Sequence, residues 1–160
     1  MYDIYATDFA FEQCEKDKRE INMLMPYSVF HFVLSGEGYI NGQKINKNTV
    51  FISSIENHMR YYPSRTDPWS YIYVRIVGED VKKAFKDFDF NNGITVLNFS
   101  DNESLYNLLS LFKKMAINEN EEAKKLIANA VLLLFSERKK DLYIKNKSNE
   151  RLEQIKKYID

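Results

Sequence analysis

Residues 69–75, Trp-Ser-Tyr-Ile-Tyr-Val-Arg, concentrate more chemistry than any other stretch of this 160-residue chain. A strand alternates its side chains between two faces. Tyr71, Tyr73 and Arg75 therefore share one side, with Trp69 in phase, and Ile72, Val74 and Ile76 share the other. Two readings fit that parity. One is a core face backed by a solvated face. The other is a cavity wall, where rings with polar edges and one guanidinium suit a small polar ligand such as a sugar. The chain has two histidines. His31 sits between Phe30 and Phe32 in an apolar strand, where a satisfied core residue is the ordinary reading. His58 stands in a polar corner near Tyr61, at the surface or at a pocket rim.

Other chemistries find less support. There is no Gly-rich phosphate loop, no Cys-x-x-Cys and no nucleophile elbow. The lone cysteine, Cys14, lies in Glu12-Gln13-Cys14-Glu15, and neighbouring carboxylates would raise its thiol pKa rather than activate it. Nothing in these residues calls for a cofactor.

The elements that must position these residues change character near residue 78. Before it, short apolar strands recur between turn signals. Residues 29–34 read as a buried strand ending at Ser35-Gly36. Asn41-Gly42 is the preferred centre of a two-residue hairpin, and further strands follow at 49–53 and 69–77. This spacing argues for an antiparallel sandwich or barrel. After residue 78 the pattern is mostly helical. A short helix is expected over 80–88 and a returning strand over 94–99. Ser100-Asp101-Asn102-Glu103 has capping-box spacing before a helix with Leu105, Leu108, Leu109 and Phe112 on one side. A second helix is expected over 119–138, with Leu126, Ile127, Ala130, Val131, Leu133 and Leu134 at helical spacing. The two make a helical hairpin. Leu152, Ile155 and Ile159 start another amphipathic helix, too short to be stable alone, inside a stretch (138–160) with eight Lys or Arg against four Asp or Glu.

Composition bounds the function. The 23 basic and 23 acidic residues give zero formal charge, without the basic excess of a chain that binds nucleic acid unaided. Eleven Tyr and eleven Phe with only five Gly and three Pro exclude a disordered chain. No window approaches about 18 uninterrupted apolar residues, and the first residues lack signal-peptide character, so a cytoplasmic location is expected.

Three segments carry a family resemblance. Phe11-Glu12-Gln13-Cys14, Tyr27 to Gly38 (ending Leu34-Ser35-Gly36-Glu37-Gly38), and Asp67 to Gly78 (opening Asp67-Pro68-Trp69) resemble the N-terminal domain of AraC-family transcription regulators. The likeness covers residues 10–135 in outline. It implies a mostly β fold with C-terminal helices: a cupin-like antiparallel β-barrel (a double-stranded β-helix) followed by an α-helical hairpin. The implied organisation is a cupin-like effector-binding barrel with an N-terminal arm over 1–100 and a dimerisation hairpin over 101–145. Residues 146–160 would begin a truncated helix-turn-helix DNA-binding domain, through which alone DNA would be contacted.

By this likeness Tyr71 and Tyr73 fall at pocket positions, and strand parity adds Arg75 to them. His58 and Tyr61 supply the opposite wall, and His31 completes the candidate set. Tyr2, Tyr5 and Phe9 are candidates for a lid. Ile127, Ala130, Val131 and Leu134 are candidates for a homodimer interface. The family's Pro-Gly-Asp before its short strand is replaced here by Lys47-Asn48-Thr49. Metal-binding cupins need a His-x-His pair, a Glu and a later His; His31, Glu37 and His58 approximate that set without the second histidine of the pair. The expectation is therefore no catalytic residue and no metal: a regulatory sensor of a small polar effector, a sugar by family likeness, acting as a homodimer. The competing reading is a stand-alone metal-dependent cupin enzyme, an isomerase or dioxygenase.

Overall fold

The computed structural model describes residues 1–86, 88, 93–117, 119–136 and 155. Nine strands, β1 (Tyr5–Gln13), β2 (Ile21–Leu24), β3 (Ser28–Ser35), β4 (Glu37–Ile40), β5 (Gln43–Asn46), β6 (Thr49–Ser53), β7 (His58–Pro63), β8 (Ser70–Val77) and β9 (Ile94–Asn98), form two sheets. The five-stranded sheet has the order β1-β8-β3-β6-β9 and the four-stranded sheet β2-β7-β4-β5. Adjacent strands within both pair antiparallel. The helices are α1 (Val81–Ala84), α2 (Asn102–Ala116) and α3 (residues 121–136). The fold is thus mostly antiparallel β with helices following. Among the described residues the two sheets do not close into a barrel. They meet at an isolated bridge between Glu37 and Pro68, and otherwise lie face to face as a sandwich.

Alternation decides what each face does. On the five-stranded sheet, Phe30, Phe32, Val50, Ile52, Ile72, Val74 and Ile76 project to one side. They share a core with Leu105, Leu109 and Phe112 of α2 and with Ile127, Val131 and Phe135 of α3. One residue out of phase, Val29, Val33, Phe51 and Tyr71 project to the other side and meet Ile40, Ile45 and Met59 of the smaller sheet. The larger sheet is therefore covered on both faces around Tyr71, while Tyr73 and Arg75 at the other end of β8 stay partly exposed. This also explains why β3 is buried at six successive positions, 28–33, instead of alternating.

Local chemistry sets the turns. Asn41 and Gly42 both take positive φ (45° and 82°), the requirement of a two-residue hairpin turn. Asn48 sits at φ 59°, a conformation that asparagine tolerates better than other side chains. The closed end of the sandwich is made by the two segments that resemble the family most. A Cβ at Gly38 would run into the Trp69 ring, so the indole needs a glycine against which to lie. The Glu37 amide donates to the Asp67 carbonyl at 2.9 Å, and Trp69 is fully buried beside Phe51 and Tyr71.

Three expectations need correction. The cap of α2 is Asp101, not Ser100: its side chain accepts from the Ser104 amide at 3.2 Å. The expected 80–88 helix is a single turn, Val81–Ala84. The N-terminal arm is the edge strand β1. Tyr2, Tyr5 and Phe9 are not a lid: Tyr2 exchanges two hydrogen bonds with the Asn129 amide on α3, Tyr5 donates to Asp3, and Phe9 is buried against Phe112. The start of a DNA-binding helix at Leu152–Ile159 lies outside the described residues apart from Ile155, which is exposed. Residues 137 and 138 of the expected second helix also lie outside them. No described helix is long and apolar enough to cross a membrane.

Candidate ligand cavity between the sheets

The inter-sheet layer differs from one end to the other. At the Trp69 end it is filled. Toward Arg75 a cavity of about 130 Å³ opens, lined by His31 and Val29 of β3, Tyr71, Tyr73 and Arg75 of β8, Tyr61 of β7, Glu12 of β1, and Lys18, Ile21, Met25 and Tyr27. Five of the six expected effector residues are thus brought together: His31, Tyr61, Tyr71, Tyr73 and Arg75. His58 is not. On β7 Met59 is buried and Tyr61 faces inward, so alternation turns His58 outward with Arg60, and it is exposed.

The polar groups of the wall are held by β1. Asp8 and Glu12 stand opposite Arg75 and Tyr71 in the β1–β8 register, on the same sheet face. Tyr73 donates to Asp8 Oδ2 at 3.2 Å, and the Arg75 guanidinium lies 3.5 Å from the same oxygen. That guanidinium also lies over the rings of Tyr27 at 4.7 Å and Tyr73 at 5.4 Å. Tyr71 donates to Glu12 Oε2 at 2.9 Å, while Lys18 pairs with Glu12 and approaches the Tyr71 hydroxyl at 3.4 Å. Burial raises the pKa of Tyr71, Tyr61 and Tyr73, so all three stay protonated donors.

His31 is the centre of the wall. It is 3% exposed, stacks on Phe51 at 4.4 Å, and meets the edges of Tyr71 and Tyr61 at 4.9 and 5.3 Å. Desolvation, aided by the Lys18 and Arg75 charges, lowers its pKa to about 3, so the imidazole is neutral at physiological pH. Its Nδ1 is buried and has no hydrogen-bond partner from the protein. An unpaired buried polar atom costs about 1–3 kcal/mol. The His31 ring lines the cavity, but this nitrogen has almost no accessible surface, so a ligand or water would reach it only if the ring moved.

The residues missed in the sequence are Asp8, Glu12, Lys18 and Tyr27. Asp8-Phe9-Ala10-Phe11-Glu12 does alternate, and that was the available signal, but Phe9 is buried and Phe11 exposed at the same parity, so apolarity does not mark the strand's faces. Cys14 is buried and its thiol pKa is raised, chiefly by desolvation. His31, Glu37 and His58 do not converge: His31 lines the cavity, Glu37 pairs with Lys44 at 3.0 Å, and His58 is on the outer face. Among the described residues no three His, Cys, Asp or Glu side chains gather as a metal site would require.

Of the expected dimer residues, Ile127 and Val131 are 2% and 0% exposed in the single chain. They point into the chain's own core and have no area left for a partner. Ala130 and Leu134 are half-buried, and the apolar residues that α3 exposes are Leu126 and Leu133.

No family model matches the chain, and no curated protein matches it. Among solved structures the chain is similar to an apo ToxT variant from Vibrio cholerae strain SCE256, at 10% identity and a TM-score of 0.44. That similarity covers 89% of this chain and 55% of the other, so the chain spans about half the length of that protein. A likeness at this level assigns neither family nor activity.

Proposed function

We propose that this chain is the effector-sensing domain of an AraC-type transcription regulator, with a cupin-like sandwich that binds a small polar molecule of the sugar class. The observation that carries the reading is the cavity itself: three protonated tyrosines, one guanidinium and a neutral imidazole with an unpartnered nitrogen converge at one end of an otherwise filled layer. Flat rings stack on a sugar's apolar face, while hydroxyl and imidazole groups bond its edges. The three sequence segments that resemble the family build this same layer. At about 130 Å³ the cavity is smaller than the roughly 300–1,000 Å³ of common ligand pockets, which favours a monosaccharide-sized occupant.

The function in this reading is regulatory, not enzymatic. Effector binding would bias two arrangements of a homodimer and so the presentation of helix-turn-helix domains. That requires different affinity for the two arrangements, since equal affinity shifts nothing. Dimer contact would run through the Leu126 and Leu133 side of α3, with Ala130 and Leu134 at its margin.

A thermal-shift screen against monosaccharides, oligosaccharides and other small metabolites, with and without EDTA, tests the reading. A ligand at about a hundred times its dissociation constant adds roughly 2.7 kcal/mol and raises the melting temperature visibly. The expected result is a rise with a monosaccharide-sized ligand, indifferent to EDTA and lost in Tyr73→Ala. A rise that persists unchanged in Tyr73→Ala removes the cavity from the mechanism. A fall with EDTA, restored by one divalent metal, would replace the sensor by a metal-dependent enzyme.

A further inference from the structure

A second concavity, on the outside of the smaller sheet, has a different composition. It measures about 450 Å³ and is lined by Lys16, Asp17, Lys18, Arg19 and Glu20 of the β1–β2 connection and by Arg60, Tyr62, Pro63 and Arg65 of β7 and the loop after it. Five cations face two carboxylates there, in a chain whose overall charge is zero. Lys18 is turned inward to Glu12, and Arg60 pairs with Glu20. Lys16, Arg19 and Arg65 are exposed and make no ion pair among the described residues.

We propose that this groove is a binding site for a small polyphosphate anion, sharing only Lys18 with the cavity between the sheets. A concavity with an excess of one sign of charge, here five cations over two carboxylates, raises the local concentration of the opposite ion. Two guanidinium groups suit phosphate because their planar donor forks match its oxygens, and a lysine adds a point charge. One phosphate would leave cations uncompensated, whereas a chain of phosphates can meet Lys16, Arg19 and Arg65 together. Tyr62 stacks on Tyr39 at 5.2 Å with the Arg60 guanidinium 5.9 Å away, giving the groove an aromatic wall on which a nucleotide base could rest.

Isothermal titration of this chain with sodium tripolyphosphate and, separately, with ATP tests the site. Saturable binding is expected, weakening as salt rises from about 0.05 to about 0.2 M because exposed charges are screened. Arg19→Glu with Arg65→Glu should lose at least about tenfold in affinity. Lys47→Glu with Lys86→Glu, the same charge change at exposed positions outside the groove, should bind as the parent does. If the double glutamate variant does not fold, Arg19→Gln with Arg65→Gln replaces it. Tighter binding of ATP than of tripolyphosphate would assign the base to Tyr62, and equal binding would assign recognition to the phosphates; either supports the site. No saturable binding of either anion overturns it, as does an equal loss in the Lys47/Lys86 variant.

Discussion

The two faces of the five-stranded sheet are built from the same strands, one residue out of phase, and they do opposite work. Toward the helices, Phe30, Phe32, Val50, Ile52, Ile72, Val74 and Ile76 meet hydrocarbon from α2 and α3. Toward the smaller sheet, the intervening positions include His31, Tyr71, Tyr73 and Arg75, and the layer is left open at one end. The first face is built from apolar side chains, and the polar side chains of the sheet gather on the second. The period of two along a strand lets a mutation on one face leave the other nearly untouched.

The largest expected effect tests the dry face. Phe30 is fully buried and its ring contacts Phe32, Phe85 and Phe135 at 6.0, 5.5 and 5.2 Å. Phe30→Ala should cost about 3–5 kcal/mol by urea denaturation. A cost below 1 kcal/mol would mean that the helices do not cover this face as described.

A pH effect belongs to the other face. Folded His31 stays neutral down to about pH 3, whereas its unfolded value is 6.5. Below 6.5 the unfolded chain takes up a proton that the folded chain refuses, so stability is full above that pH and falls as pH drops toward 3. The slope should approach 1.4 kcal/mol per pH unit between about pH 6 and pH 4. His31→Phe, which can still stack on Phe51, should lack that share of the slope. Identical slopes for both proteins would show that His31 is not held in a dry wall.

Gly38→Ala probes the filled end of the same layer. With the indole of Trp69 against the glycine backbone, the added methyl should cost about 1–3 kcal/mol and shift Trp69 fluorescence. A silent substitution would erase the distinction between the filled and the open end. Tyr73→Phe, at the open end, gives the smallest change: removing the hydroxyl that a partly buried tyrosine donates to Asp8 should alter stability by no more than about 1 kcal/mol. A larger loss would make Tyr73 a structural residue.

Much of this plan is legible in the sequence because period-two alternation is local. The β8 parity separates the two faces, Asn41-Gly42 marks its hairpin, and the helical spacing of Leu105, Leu109 and Phe112 points at the sheet. Alternation does not say what lies opposite each face. Whether Tyr71 meets water, a filled core or a cavity depends on strands far away in sequence, and so does the outward turn of His58. In the N-terminal strand Phe9 is buried and Phe11 exposed although they share a parity, so apolarity does not mark its faces and Asp8 and Glu12 do not stand out. Ile127 and Val131 show the same limit on a helix: spacing identifies an apolar face, but two surfaces can compete for it, and the sheet takes these two residues.

The two histidines, one in the cavity wall and one on the outer face, allow the most direct test. The ring nitrogens of both can be followed by NMR while the ligand found in the thermal screen is added to saturation. The account predicts that the His31 ring signals, those of Nδ1 above all, move with occupancy while those of His58 stay in place. Unmoved His31 signals at saturation, or a response confined to His58, would contradict the claim that the open end of the inter-sheet layer is the ligand site.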